Sequence, residues 1–420
     1  MTPSHDRRTF LRRAGLTAGA AVTLPMAGLT GSAAASTAPT ETDPDQLFWE
    51  GRFAEADRGY AALLRGNPDD AHALARRGCV ALLSNRFGSA ESFLTRALEL
   101  APDDAFSVRQ LVDCYVRQDQ YARAVPLLGD APTAVQYGAL TGTPFEIRGP
   151  EATRIPFLTL DPLPQIPVSL NGGTPKTFHV DTGGSFGLSA ETAEEAGLEA
   201  VATGQATLGG RVVTTYLGAV DSVRLGEIEL RNVPVAWHDT GAGEDAGVIG
   251  TAIFYHFLTT LDYAHQGLVL RRKTGAQVRE VQAAAERAGT RPQPLWLADG
   301  HFPFTLGSLG GYGPRVVEID TGVPDFGVTT TEEKARKAGV AIDYDHPVSF
   351  LGVTGYSITP DTVSIGDAVR EDVPGVVAPV SLDERLGFEI LANVTHQFLK
   401  PFSCTFDYAG MRLYLTGGQG

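Results

Sequence analysis

Val180-Asp181-Thr182-Gly183-Gly184-Ser185 is a short apolar strand that ends on an acid, a hydroxyl and a glycine. The chain writes it twice, because Ile319-Asp320-Thr321-Gly322-Val323 follows 139 residues later. The frames around the two copies match. Ile166 to Leu170 alternates in hydropathy, Asn171-Gly172-Gly173 carries a hairpin signature, and Thr177 to Val180 returns to deliver Asp181. Phe302 to Leu306 alternates likewise, residues 307–313 turn, and Arg315 to Ile319 delivers Asp320. Past the acids, Phe186-Gly187-Leu188-Ser189 with Ala193 parallels Phe326-Gly327-Val328-Thr329 with Ala335. Ser189 and Thr329 are placed to N-cap a short helix in each copy. Each copy then has a glycine-bearing hairpin: Leu208-Gly209-Gly210-Arg211 in the first, Leu351 to Gly355 in the second. Each closes alike, on Leu261-Asp262-Tyr263 or Phe406-Asp407-Tyr408. A duplicated frame of this kind folds as two similar β lobes, each bringing one carboxylate to a common site.

Bulk properties agree. Of 420 residues, 43% are hydrophobic, which supports packed cores, and 48 Gly with 26 Pro favour turn-rich β structure. A net charge of −15 argues against nucleic acid or an anionic membrane as the main partner. Three cysteines, Cys79, Cys114 and Cys404, are too few for a disulfide scaffold and read as small buried apolar residues. His179, His256 and His301 lack metal-ligand spacing, so neither a metal nor a cofactor is expected. Trp237 and Trp296 read as core or interface residues, and Asp262 and Asp407 as turn residues.

The segment 36–137 has a different rhythm, with a period of 34 residues. Gly51-Arg52-Phe53 recurs as Asn85-Arg86-Phe87 and Asp119-Gln120-Tyr121, and Ala56, Ala90 and Ala124 keep step. Asn67-Pro68-Asp69-Asp70 recurs as Ala101-Pro102-Asp103-Asp104. The period and its small residues resemble the tetratricopeptide repeat, a helix–turn–helix unit. About two and a half repeats are present. The first helix is expected near Pro44, and the third repeat loses its closing proline at Gln136. So short a stack leans on its neighbour; it either docks a substrate or protein partner or serves as a structural cap.

At the start, Arg7-Arg8-Thr9-Phe10-Leu11 resembles a twin-arginine export signal, followed by a weakly apolar run and small residues Ala33 to Ala35. Residues 1–35 are therefore read as a cleaved signal peptide, with the mature chain exported, secreted or in the cell envelope, and without stable membrane insertion.

The paired Asp-Thr-Gly motifs, each in its own matching frame over roughly 155–420, resemble the aspartic proteases, and more narrowly the bacterial retropepsin-like proteins with two lobes in one chain. The expected architecture is multidomain: α-helical tetratricopeptide repeats, then a mainly-β, two-lobed, pseudo-symmetric protease-like domain with lobe 1 over 138–275, an interlobe helix and linker over 276–300, and lobe 2 over 301–420. The resemblance implies that Asp181 and Asp320 jointly activate a water against a peptide bond. Thr182 and Thr321 would brace the two loops, and Gly183 and Gly322 would let the backbone approach the carboxylates. The hairpins at Gly209, Gly210, Gly352 and Gly355 would be flaps. Four places depart from the family pattern. Gly184 and Val323 stand where a hydroxyl or Ala is usual. Ile390-Leu391-Ala392 stands where lobe 1 has Val248-Ile249-Gly250. A Pro324-Asp325 insertion adds a carboxylate to lobe 2. An exported aspartic endopeptidase is the first expectation; a weak or inactive protease-like peptide-binding module is the alternative.

Overall fold

The computed structural model describes residues 43–208, 211–238 and 246–417. The segment read as a signal peptide, and Gly209 and Gly210, lie outside these described residues. Helices come first: α1 Pro44–Trp49, α2 Phe53–Gly66, α3 Ala71–Leu83, α4 Phe87–Leu100, α5 Ala105–Val116, α6 Tyr121–Leu128 and α7 Pro132–Ala139. The 34-residue period has a physical origin at two points of each turn. Gly51, Asn85 and Asp119, one per period, all have positive φ (74°, 54° and 58°), a conformation open to glycine and tolerated by Asn and Asp. Asp70 and Asp104, also one period apart, N-cap α3 and α5 by accepting from Ala73 N and Ser107 N, each at 3.0 Å. Ala56, Ala90 and Ala124 are fully buried where the helices cross. Gly78 lets α4 approach so closely that a Cβ there would sit 2.6 Å from Leu94 Cγ.

The helices lean on the β region on two sides. Phe48, Phe53, Tyr60 and Val80 share one core with Phe302, Phe304, Val316, Phe388 and Ile390 of lobe 2. Phe53 stands edge-on to Trp296 at 5.0 Å and to Phe388 at 5.2 Å. Each such ring, fully buried, contributes about 2–3 kcal/mol. On the other side, Gln136 of α7 is buried against lobe 1, its Nε2 donating to the carbonyls of Gly218 (2.8 Å) and Val235 (2.9 Å). The helical pattern lapses at Gln136, and that residue is where α7 docks.

The β region over the described residues forms three sheets. An eight-stranded sheet holds Lys176–Asp181, and a ten-stranded sheet holds Tyr312–Asp320. The third has six strands: Ala152–Pro156, Gly267–Arg272 and Phe257–Asp262 from lobe 1, Phe402–Asp407 and Arg412–Gly417 from lobe 2, and Gln293–Pro294 from the interlobe linker. At its centre the two matching closing segments pair with one another, antiparallel, with Thr260 opposite Thr405 and their hydroxyls 2.9 Å apart. The same two threonines correspond in the sequence duplication, so this pair marks the pseudo-two-fold axis. Gly275–Arg287 is the connecting helix between the lobes, N-capped by Thr274.

Two details differ from the sequence expectation. The lobe-2 helix Glu332–Lys337 is capped by Thr331, not Thr329, because Val328–Thr330 continues as a strand. Ser189 does cap Ala190–Glu195. The lobe-2 counterpart of Val248-Ile249-Gly250 is Asn393-Val394-Thr395, not Ile390-Leu391-Ala392. Asp181 pairs with Gly250 and Asp320 with Thr395 in the equivalent parallel ladders, whereas Ala392 pairs with Val317. Asn393 stands where lobe 1 has Val248, and Thr395 where it has Gly250, so the apolar-apolar-Gly pattern is absent at this place. Cys79, Cys114 and Cys404 are free and buried. No helix among the described residues is long and apolar enough to cross a membrane.

Candidate active site

Each acid sits at the last residue of a buried strand, Lys176–Asp181 or Tyr312–Asp320, and the chain then turns sharply through Thr-Gly. The next residues feed a strand, Phe186–Ser189 or Val328–Thr330, that pairs antiparallel with the strand flanking the acid. Each turn is thus pinned on both sides before any side chain acts.

The two turns then lock together. Thr182 N donates to Thr321 Oγ1 at 3.0 Å, and Thr321 N donates to Thr182 Oγ1 at 3.1 Å. Thr182 Oγ1 donates to Ile319 O at 2.7 Å, and Thr321 Oγ1 donates to Val180 O at 2.9 Å. Both threonines are completely buried. All four bonds cross between lobes, and each hydroxyl is both donor and acceptor.

The glycines explain the spacing of the motif. A Cβ on Gly183 would lie 2.4 Å from Asp320 Cγ, and one on Gly322 would lie 2.3 Å from Asp181 Cγ. Each glycine therefore lies against the other lobe's carboxylate, and any side chain would drive the acids apart. The carboxyls lie within hydrogen-bonding reach of one another. Burial first, then the facing Asp320 charge, push Asp181 well above the usual carboxylate range; the Gly183 backbone N–H pulls weakly the other way. Two facing carboxyls share a proton rather than ionise together, which supplies an acid and a base in one place.

Their surroundings are not alike. Asp320 Oδ1 accepts from Gly322 N at 2.8 Å, and Oδ2 accepts from Asn393 Nδ2 at 2.9 Å. Asp181 Oδ1 is buried with no conventional donor. Asn393 occupies the place that Val248 holds in lobe 1, and sequence reasoning missed it; the correct strand register would have found it. Sequence reasoning also passed over Glu318, two residues before Asp320 and buried, whose carboxyl is pushed up to about 8 by burial and then by Asp320. The third carboxylate bearing on Asp181 is Glu318 from inside, while Asp325 is exposed at the turn, with φ 67°.

The departures at the motif now have causes. A Cβ on Gly184 would lie 2.6 Å from Asp181 Oδ2, so this turn has no room for a side chain. Val323 is buried in a small apolar cluster with Phe350, Val376 and Ala378. Phe350 ends one arm of the lobe-2 hairpin, Ile342–Phe350 and Val353–Ile358, whose tip is Leu351-Gly352 with both φ positive. Val323 thus joins the site loop to that hairpin. Gly355 is not at the tip: it lies inside Val353–Ile358, where a Cβ would meet Val377 O at 2.6 Å. In lobe 1 the hairpin strands pair up to Leu208 and Arg211, on either side of Gly209 and Gly210.

The remaining residues singled out above lie elsewhere. His256 stacks on Phe145 at 4.0 Å and faces Asp119, so it joins helices to lobe 1. Burial first, with neighbouring cations, pushes His301 well below the ordinary imidazole value. Trp237 is core, and Trp296 is an interface residue. Asp407 accepts from Ala409 N and Gly410 N, and Asp262 from His265 N, as turn residues do. Among the described residues no group of three His, Cys, Asp or Glu is arranged to hold a metal.

Residues 166–253 match the family model described as "Aspartyl protease", which supports an aspartyl-protease-type domain and a peptide as the substrate class. No curated protein matches the chain. Among solved structures, the chain is similar to a mutant of the Thermobaculum terrenum O-GlcNAc transferase, at 23% identity over 22% of this chain and 18% of that one, TM-score 0.20. It is also similar to conglutin gamma, a basic 7S globulin from lupine seeds, at 10% identity over 64% of this chain and 95% of that one, TM-score 0.40. The chain thus spans under a fifth of the length of the transferase.

Proposed function

We propose that the chain is an exported aspartic endopeptidase in which Asp181 and Asp320 together activate a water against a peptide bond. The observation that carries this reading is the four-bond threonine brace, which fixes two facing carboxyls with a Gly from each lobe against the opposite acid. The pair holds one proton. The unprotonated side removes a proton from the bridging water, and the protonated side gives its own to the scissile carbonyl oxygen. The roles belong to the pair, since the proton changes sides during the cycle. No covalent intermediate is required. The hairpin that ends at Gly352 and the one around Gly209-Gly210 cover the site in this reading, and the helical region docks substrate or a protein partner.

The test is cleavage of a peptide library by the purified protein from acidic to neutral pH. Cleavage that is blocked by a statine-type inhibitor and lost in both Asp181→Asn and Asp320→Asn supports the proposal. Peptide binding that survives both substitutions, without cleavage at any pH, replaces it with the binding-module reading. Export is tested separately: Arg7→Lys with Arg8→Lys should leave the protein in the cytoplasm, and unchanged secretion refutes the twin-arginine route.

A further inference from the structure

Glu318 and Asn393 are direct partners in the parallel ladder between Tyr312–Asp320 and Ala392–Thr395. Residues two apart on a strand share a face, so Glu318 lies on the same face as Asp320. Asn393 extends along that face too, since its Nδ2 reaches Asp320 Oδ2 at 2.9 Å. This leaves the amide's other end unexplained. Asn393 Oδ1 is buried and has no hydrogen-bond donor. A buried amide oxygen left without a donor is costly, so the hydrogen bond to Asp320 accounts for only one end of the amide. The carboxyl in register beside it, Glu318, is itself buried. The side chains facing Glu318 from the packed elements are Asp320 and Asn393, Phe304 across the antiparallel ladder, Arg385 of the helix Asp383–Leu386, and Asp299. Arg385 Nη2 is already engaged by Asp299 at 2.8 Å, and among the described residues no cation lies within ion-pair distance of Glu318.

We propose that Glu318 stands behind the dyad as a neutral carboxylic acid and donates its hydrogen to Asn393 Oδ1, fixing the amide so that its NH2 holds Asp320. Glu318 is then a positioning residue, acting through Asn393 and touching neither substrate nor water. The upward push on its acidity from burial and from Asp320 has the sign this requires. Lobe 1 has no equivalent relay, because the matching places are His179 and Val248. The catalytic consequence rests on the dyad reading above; the hydrogen bond does not.

Two measurements separate these. With the full chain labelled at glutamate 13Cδ, the resonance missing in Glu318→Gln identifies Glu318. It should remain in its protonated position at mildly acidic pH and titrate near 8. A carboxyl already ionised at pH 6, paired instead with Arg385, overturns the proposal. On cleavage, Glu318→Leu should lower kcat about 10- to 100-fold at nearly constant KM, as loss of one buried donor does. Glu318→Gln, whose amide can donate in place of the acid, should recover most of that loss. It should also leave the dyad's upper apparent pKa in place, because no charge has been removed. Glu318→Gln as damaging as Glu318→Leu, or a downward move of that pKa, overturns the proposal. If the wild-type chain cleaves nothing, the peptidase reading fails, and the carbon titration still decides the state of Glu318.

Discussion

The two lobes reach the site with nearly the same backbone and different chemistry. In lobe 1, Asp181 ends a strand flanked by Val248-Ile249-Gly250, has a bare glycine after its motif, and keeps one oxygen buried without a conventional donor. In lobe 2, Asp320 ends a strand flanked by Asn393-Val394-Thr395, accepts two N–H bonds, and is followed by Val323, tied into a hairpin cluster. Asp320 uses both oxygens as acceptors, whereas burial and its partner's charge favour a proton on Asp181. Backbone symmetry therefore places two acids, and the side chains around them give each a different set of hydrogen-bond partners.

Substituting either acid tests the comparison most severely. Asp181→Asn and Asp320→Asn should each lower kcat/KM by roughly 10²- to 10⁴-fold, and equal losses would show that the pair works as a unit. The brace comes next. Thr182→Ala or Thr321→Ala leaves a buried N–H and a buried carbonyl unpaired and should cost about 2–4 kcal/mol in urea unfolding. The double variant should cost less than the sum, because each hydroxyl serves the other's turn. Thr→Ser at either place should restore the stability.

Gly184→Ala should reduce kcat by about tenfold through displacement of the Asp181 carboxyl, and Val323→Ala should act mainly on stability. A reversed pattern would mean that the lobe-2 hairpin, not the lobe-1 turn, sets the geometry. The smallest effect is on the pH dependence of stability. Asp181 and Glu318 bind protons more tightly folded than unfolded, so their contribution is complete below the unfolded pKa and is lost as pH rises through the folded value. For Glu318 that window runs from its ordinary 4.5 to about 8. Each such group gives a slope of at most about −1.4 kcal/mol per pH unit. Denaturant titrations of Glu318→Gln should show a shallower slope across that window, and an unchanged slope would show that Glu318 ionises normally.

Much of this arrangement was legible because duplication doubles the signal. A single Asp-Thr-Gly is an ordinary strand end, but two inside matching frames fix the strand before, the turn and the strand after. The helical period was legible for a similar reason, since Gly51, Asn85 and Asp119 must all take a conformation few residues tolerate. The side chains that distinguish the lobes were not legible. Asn393 directly follows the segment that best fits an apolar pattern, so the true register lies three residues on, and only the ladder between strands distant in sequence sets it. Glu318 looked like one polar residue in a strand; its meaning depends on burial, which pairing alone does not give. Gly355 illustrates the opposite error, a glycine near a turn that serves close packing within a strand.

The pairing of Thr260 with Thr405 has a consequence for how such a site can change. A site built from two identical chains must accept every substitution twice, once on each side of the axis. Here the halves are covalently joined and share a six-stranded sheet, so a single codon alters one side only. An amide can be installed at 393 while valine stays at 248, and a glutamate at 318 while histidine stays at 179. Joining the halves thus frees each acid to acquire its own neighbours.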